Sequence, residues 1–314
     1  MRIAIPDDYQ NVIQSLDCFQ LLQGHELTIV HEYHSDPWEL TEKLADPEVL
    51  VLTRTRTKVN DRLLRQLPNL KLISQTGKNA GHIDERACHR HGVAIVEGRG
   101  NPIATAELTW ALIMNGMRLI PQAIEGMKAG NWQVNMGRRI YEKRLGIWGF
   151  GKIGKRIATY AKTFGAEVMV WGSEASRASA IEMGYLAAES KKEFFSSCDI
   201  ISLHLRLKES TKGIVKGADL LSMKSDALLV NTARAALIEE GALLAALMAG
   251  RPGFAALDVY EHEPIFDPYH PLLQMDNVIC TPHLGYVERS GYELYFSIAF
   301  QNVLDYFANN SMNG

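Results

Sequence analysis

Three short segments in the second half of the chain each place polar, chemically capable residues where a strand gives way to a loop. The run "LLVNTARAALIEEG" carries Asn231, Thr232, Ala233 and Arg234; "AALDVYEHEP" carries Asp258 and then Glu261, His262 and Glu263; "NVICTPHLG" carries His283 and Gly285. A guanidinium beside a His–Glu pair suits chemistry on a carbonyl. Arg234 can grip a carboxylate and polarise a neighbouring carbonyl with its rigid fork of donors. His283 can hand a proton to a carbonyl oxygen or remove it in reverse. Glu263, bonded to the other ring nitrogen, would orient the imidazole and favour its protonated form. Each residue alone has an ordinary reading: a solvated Arg at a helix start, an exposed Glu before Pro264, a His bonding its own turn, an Asp capping a loop. Their order along the chain is what gives them joint meaning.

Upstream lies "LGIWGFGKIGKRIATYAKTFGA", with Gly149, Gly151 and Gly154 in a GxGxxG arrangement after a strand-like run and before a helix-like one. The first Gly permits a tight turn, the second lets backbone approach a pyrophosphate, and the third allows close helix–strand packing. The helix start supplies amide donors and a positive dipole end. GxGxxG alone is a weak signal. Here strand, turn and helix stand in order among further strand-like runs, and the reading is a dinucleotide site.

The surrounding elements support that arrangement. The runs 2–6, 27–33, 49–53, 70–76 and 93–97 read as strands, separated by segments with helical spacing such as "LTEKLAD" and "VNDRLLRQL". A long helical segment, 103–120, and an arm-like stretch, 121–144, follow. A second series then has strand-like runs at 144–149, 167–172, 199–205, 227–233, 253–259 and 277–282. Six such runs suit a doubly wound unit, and the C-terminal ends of its parallel strands border the ligand crevice, where the Arg, Glu and His segments would converge. The tail "ERSGYELYFSIAFQNVLDYFAN" reads as one amphipathic helix or two.

Bulk composition excludes several classes. The 314 residues carry a formal net charge of −3, are 46% hydrophobic and 22% charged, and contain four scattered cysteines, Cys18, Cys88, Cys198 and Cys280. Nothing here marks nucleic acid or a membrane as partner, and the thiols read as free or buried in a reducing compartment. With no signal-like start and no run of about 18 apolar residues, the expected location is the cytoplasm. No metal-ligand cluster stands out; His89 and His91 in "CHRHG" read as a solvated turn.

These motifs resemble the D-isomer-specific 2-hydroxyacid dehydrogenase family, over nearly the whole chain. "VNTARAALIEEGALLAAL" is similar to its Asn-Thr-x-Arg-Gly segment, "LDVYEHEP" to its Asp-Val-Phe-x-x-Glu-Pro segment and "TPHLG" to its Thr-Pro-His-x-Gly. The resemblance implies that Arg234 binds substrate, Glu263 pairs with the histidine, and His283 is the acid/base. It implies an α/β chain of two doubly wound parallel-sheet domains: a flavodoxin-like substrate domain, 1–100 plus 286–314, and an inserted Rossmann dinucleotide-binding domain, 101–285. A homodimer built through 101–144 is implied as well. "VLTRTRTKV" resembles a segment whose arginine, Arg54, reaches the substrate. "SQTGKNAGHID" resembles the loop whose amides hold the substrate carboxylate, around Gly77, Lys78 and Asn79. On the cofactor side the matching positions are Lys152, Ile153, Leu205, Thr232, Ala233, Asp258 and Gly285, beside the three glycines. The implied activity is hydride transfer between NAD(H) or NADP(H) and C2 of a small D-2-hydroxy acid or 2-keto acid, of the glyoxylate, hydroxypyruvate or phosphoglycerate kind. A formate dehydrogenase and an NADH-sensing co-repressor are the rivals; a panel of keto acids separates them.

Four departures from the family pattern bear on specificity. Ala235 follows Arg234 where Gly is usual, and Tyr286 follows "TPHLG". Gly77-Lys78-Asn79 stands for Gly-x-Gly, and a Lys78 pointing inward would add a cation suited to a second acidic group. In "EVMVWGSEASR" the position that most often holds Asp in NAD-dependent members is Gly172. That Asp binds the ribose hydroxyls and repels a 2′-phosphate. With Gly172 there, Ser173 can donate to a phosphate, Arg177 can clamp one or be a plain first-turn cation, and Glu174 can reach the ribose instead. Relaxed selectivity, with NADP(H) accepted, is the expectation.

Overall fold

The computed structural model describes residues 1–311. The chain divides into two compact units, Met1–Asn101 together with the chain from Glu288 onward, and Pro102–Val287.

The first unit holds strands β1 (Arg2–Ile5), β2 (Glu26–Ile29), β3 (Val49–Leu52), β4 (Leu72–Gln75) and β5 (Ala94–Glu97). All pair in parallel, in the order β2-β1-β3-β4-β5, which is the flavodoxin-like doubly wound order. The observed β2 is shorter than the run 27–33, because it pairs only with β1 and that strand ends at Ile5. Helices α1 (Pro37–Leu44), α2 (Asp61–Leu64) and α3 (Glu85–Arg90) each start at a side-chain cap: Asp36 accepts from the Trp38 amide, Asn60 from Leu63 and Asp84 from Ala87. Their apolar side chains (Leu40, Leu44, Leu63, Leu64, Ala87) pack with Leu50, Leu52 and Ile73 of the sheet. The C-terminal helix, Arg289–Ser311, is a single helix; the buried Ser74 of β4 donates to its Ala299 carbonyl at 2.7 Å. The His89–His91 segment is a correction to the turn reading. Capping by Asp84 makes it the last turn of α3 and its C-cap, and His91 Nε2 lies 3.0 Å from Asp61.

The second unit holds β6 (Arg144–Trp148), β7 (Glu167–Trp171), β8 (Leu186–Ala187), β9 (Ile200–Leu203), β10 (Leu228–Asn231), β11 (Phe254–Leu257) and β12 (Val278–Cys280). Their order is β12-β11-β10-β9-β6-β7-β8, with every pair parallel. The direction of strand succession reverses between β6 and β9, the switch point of a Rossmann sheet. Strand β8 was not among the six expected, since two residues are too few to show a period. Both faces are covered: Leu228 and Val230 of β10 join one apolar layer while Leu229 joins the other, the alternation a pleated strand imposes.

Helices of this unit are α4 (Pro102–Arg118), α5 (Ile120–Lys128), α6 (Lys152–Thr163), α7 (Glu174–Glu182), α8 (Lys191–Ser197), α9 (Gly217–Leu221) and α10 (Ala242–Met248). The 103–120 helix and the arm are therefore corrected. Leu119 takes a left-handed conformation, φ 52°, and Pro121 cannot donate to the Met117 carbonyl, so the helix breaks. That carbonyl instead accepts from the Arg138 amide at 2.6 Å. The first part of the arm is helical, as α5. Among the described residues no helix is long and apolar enough to cross a membrane.

Candidate active site

The glycine turn leaves β6 at the switch point of the second unit. Gly149 has φ 106°, and a Cβ there would lie 2.8 Å from the His204 carbonyl just past β9, so only glycine lets the two strand ends approach this closely. Gly154 is buried, and a Cβ on it would collide with the Gly149 carbonyl oxygen. Gly151 differs: a Cβ would meet nothing within 4 Å. It is the N-cap of α6, with no side-chain cap bond and no acid in the first turn. Lys152 and Ile153 open that helix, so an uncapped N-terminus faces open space, which suits an anionic group.

His204, beyond β9 and next to Leu205, was not singled out from sequence. Its Nε2 lies 2.9 Å from Ser202 Oγ, and loss of hydration pushes the imidazole down to about 4. The folded state thus favours neutral His204, so its contribution to stability is complete above the unfolded value near 6.5 and is lost as pH falls through 4. The loss amounts to about 3 kcal/mol at most. Urea titrations from pH 7 to 4 should show this acid-side slope in the wild type and a flatter one in His204→Gln.

Past β7, Gly172 has φ 152°, a conformation in which an Asp side chain would be strained. Ser173 is occupied as the N-cap of α7, accepting from the Ser176 amide at 3.3 Å. Glu174 opens α7. The Arg177 guanidinium lies 5.0 Å from the Trp171 ring centroid, and its buried Nε has no hydrogen-bond partner.

Past β10, Asn231 folds the following turn around itself: its Oδ1 accepts from the Ala233 amide and its Nδ2 donates to the Arg234 carbonyl, both at 3.0 Å. Thr232 Oγ1 meets Thr109 Oγ1 of α4 at 2.7 Å. Arg234 caps a short 3-10 turn, Ala235–Leu237, and its Nη1 donates to the Ala233 carbonyl at 2.6 Å.

Beyond β11 and β12 lies the tightest part of the site. Asp258 is fully buried, and its carboxylate accepts from Thr281 Oγ1 and the Leu284 amide at 2.6 Å and from the Gly285 amide at 2.8 Å. Burial pushes its carboxyl up, against the pull of Thr281, the Leu284 amide, His283 and the Gly285 amide. Asp258 therefore staples the loop that carries His283. Thr105 of α4 adds a bond to the Gly285 carbonyl at 2.7 Å. His283 itself sits at φ 53°, an uncommon conformation for a side chain of this size, fixed by its amide bonding the Thr281 carbonyl at 2.9 Å. Its Nδ1 lies 2.6 Å from Glu263 Oε2, while Glu263 Oε1 accepts from the Tyr260 amide at 2.9 Å. The ring of Tyr286 stands edge-on at 5.3 Å from the imidazole. Tyr260, Thr281 and Thr105 were not marked from sequence; only their distance from strand ends hints at them.

In the first unit, Arg54 follows β3 with φ 54°. Its amide bonds Thr76 Oγ1 at 2.9 Å, and its guanidinium lies 5.5 Å from the Tyr295 ring centroid. A Cβ at Gly77 would strike this guanidinium, so Gly77 is the residue that lets it lie against the loop. Lys78 does not project alone: its Nζ pairs with Glu97 Oε2 at 2.8 Å, and the Asn79 amide donates to Glu97 Oε1 at 2.6 Å.

A family model described as "D-isomer specific 2-hydroxyacid dehydrogenase, NAD binding domain" matches residues 110–285. A D-3-phosphoglycerate dehydrogenase of Methanocaldococcus jannaschii is 38% identical over 250 residues, 79% of this chain and 47% of the relative. The chain thus spans about half the length of the phosphoglycerate dehydrogenases of this kind. A glyoxylate reductase of Aeropyrum pernix is 32% identical over 279 residues, covering 86% of this chain and 83% of its own. A crystal structure of a phosphoglycerate oxidoreductase from Vibrio cholerae o395 superposes with a TM-score of 0.95 at 52% identity, covering 98% of this chain and 99% of that one. With this likeness running through both units, the chain belongs to the D-isomer specific 2-hydroxyacid dehydrogenase family.

Proposed function

We propose that the protein is a nicotinamide-dependent dehydrogenase that interconverts a small 2-keto acid and its D-2-hydroxy acid. The observation that carries this is the 2.6 Å His283–Glu263 pair, held by the Asp258 staple on the same sheet as the glycine turn. The open, uncapped start of α6 at Gly151 fits a dinucleotide pyrophosphate. The nicotinamide, when bound, supplies or accepts the hydride. The remaining work is done by side chains. Arg234 binds the substrate carboxylate and polarises its carbonyl, His283 Nε2 donates the proton to the carbonyl oxygen, and Glu263 holds Nδ1 so that Nε2 faces the substrate. In the first unit, Arg54 and the Gly77–Asn79 loop serve the substrate carboxylate. Thr232, Ala233, Leu205 and Gly285 line the dinucleotide, with Asp258 acting through the loop it staples.

Coenzyme choice follows from β7. With Gly172 in place of an acid, nothing at that position repels a 2′-phosphate, and Arg177 lies within the first turns of α7; NADP(H) is accepted alongside NAD(H). The proposed homodimer is supported by apolar side chains in the 101–144 region that are exposed in the single chain: Met127 at 66%, Trp132 at 77% and Met136 at 90%.

The test is a reductase assay with glyoxylate, hydroxypyruvate, phosphohydroxypyruvate and 2-ketoglutarate, each with NADH and NADPH. At least one acid should be reduced with both coenzymes. An NADH preference above roughly a hundredfold, about 2.7 kcal/mol, would assign the ribose to Glu174. Tight NADH binding with no turnover of any acid would favour a sensor.

A further inference from the structure

The Gly77–Asn79 loop carries a feature that neither the motif nor the proposed chemistry uses. Glu97 ends β5, and the next residue is locked, because the Gly98 amide donates to the Gln75 carbonyl at 2.7 Å and the Gly77 carbonyl at 3.1 Å. A Cβ at Gly98 would lie 3.0 Å from the Gln75 oxygen and Thr76, so the strand end is held tightly against the loop. From there the Glu97 carboxylate reaches the Lys78 ammonium at 2.8 Å and the Asn79 amide at 2.6 Å. The Lys78 hydrogen bond, with help from the Asn79 amide, holds the Glu97 carboxyl below its usual range, so it is ionised at neutral pH. A second acid lies nearby: Glu85 Oε1 accepts from the Asn79 side chain at 2.8 Å.

Such a pair, with side chains 69% and 33% exposed, contributes little to stability. Its consequence is the placement of charge. The loop's lysine is neutralised, one of its backbone donors is engaged, and a carboxylate is fixed against the loop that the proposed function gives to the substrate carboxylate. We propose that Glu97 is a specificity residue that restricts the substrate to a 2-keto acid with a single negative charge, disfavouring acids that also carry a phosphate or a second carboxylate. This rests on the function proposed above for the loop.

The experiment compares kcat/KM for phosphohydroxypyruvate and hydroxypyruvate in wild type, Glu97→Gln and Lys78→Met. Glu97→Gln keeps one acceptor oxygen, enough for the Asn79 amide, and removes the charge, so the ratio of phosphorylated to plain acid should rise at least tenfold. Lys78→Met leaves the carboxylate uncompensated, so the same ratio should fall threefold or more; this exposed site carries the test if Glu97→Gln does not fold. Calorimetric binding of 3-phosphoglycerate and D-glycerate to wild type and Glu97→Gln reads the same discrimination without turnover. A wild type that prefers the phosphorylated acid, or turnover and binding ratios that stay within twofold in the variants, overturns the inference. A wild type that turns over no keto acid, but whose binding ratio still moves with Glu97→Gln, sinks the dehydrogenase reading and leaves the charge selection standing.

Discussion

His283→Asn should lower kcat by about 10²–10⁴-fold, the usual range for removing a positioned general acid, which corresponds to roughly 3–5 kcal/mol of barrier. The amide preserves volume and some hydrogen bonding at the φ 53° position, where Asn is among the better-tolerated residues, so the loop should stay folded. NADH affinity, read by fluorescence titration, should change little, because the glycine turn lies on the far side of β9 and β10 in the sheet order. Glu263→Gln should cost less, about tenfold. A carboxamide can still accept from the Tyr260 amide, but it can equally present its NH₂ to Nδ1, and the imidazole then loses its single orientation. Keto-acid reduction at wild-type rate in His283→Asn would remove His283 from the mechanism.

Arg234→Gln should reduce kcat/KM by about 10²–10³-fold, the scale for deleting a donor aimed at developing charge. The proposed role implies that Lys should not rescue it. Asn231 holds the turn through one 3.0 Å bond to the Ala233 amide and one to the Arg234 carbonyl, and in the proposed role a planar fork at that position would take a carboxylate and its neighbouring carbonyl together. An ammonium makes neither contact in pairs. Arg234→Lys and Arg234→Gln should therefore fall within about tenfold of each other; a lysine variant close to wild type would show that only the charge matters.

Much of the fold was legible because it is written locally. Strand runs, the GxGxxG turn and the order of the Arg, Glu and His segments depend on neighbours a few residues apart, and both sheets are parallel as those patterns implied, whereas the flavodoxin-like and Rossmann domains were implied by the family resemblance. Legibility failed where local signals were short or contrary: the two-residue β8, and the helix break that Leu119 and Pro121 introduce before α5. Within the site, residue types and positions could be read, but the direction of each side chain could not. The unexpected findings are long-range contacts. Asp258 meets the Leu284 amide 26 positions away, Lys78 meets Glu97 19 positions away, and Thr109 meets Thr232 123 positions away.

By itself the sequence determined the glycine turn, the parallel α/β pattern and the types of the three residues that would handle a carboxylate, a carbonyl and a proton. Only the tertiary structure decided that Asp258 serves as a buried staple, that Lys78 is neutralised by Glu97, and that His283 is held in a left-handed conformation facing Glu263. A side chain's role depends on the partner it desolvates against. Those partners come from separate strands, which chain periodicity places in a sheet but does not bring to a given atom.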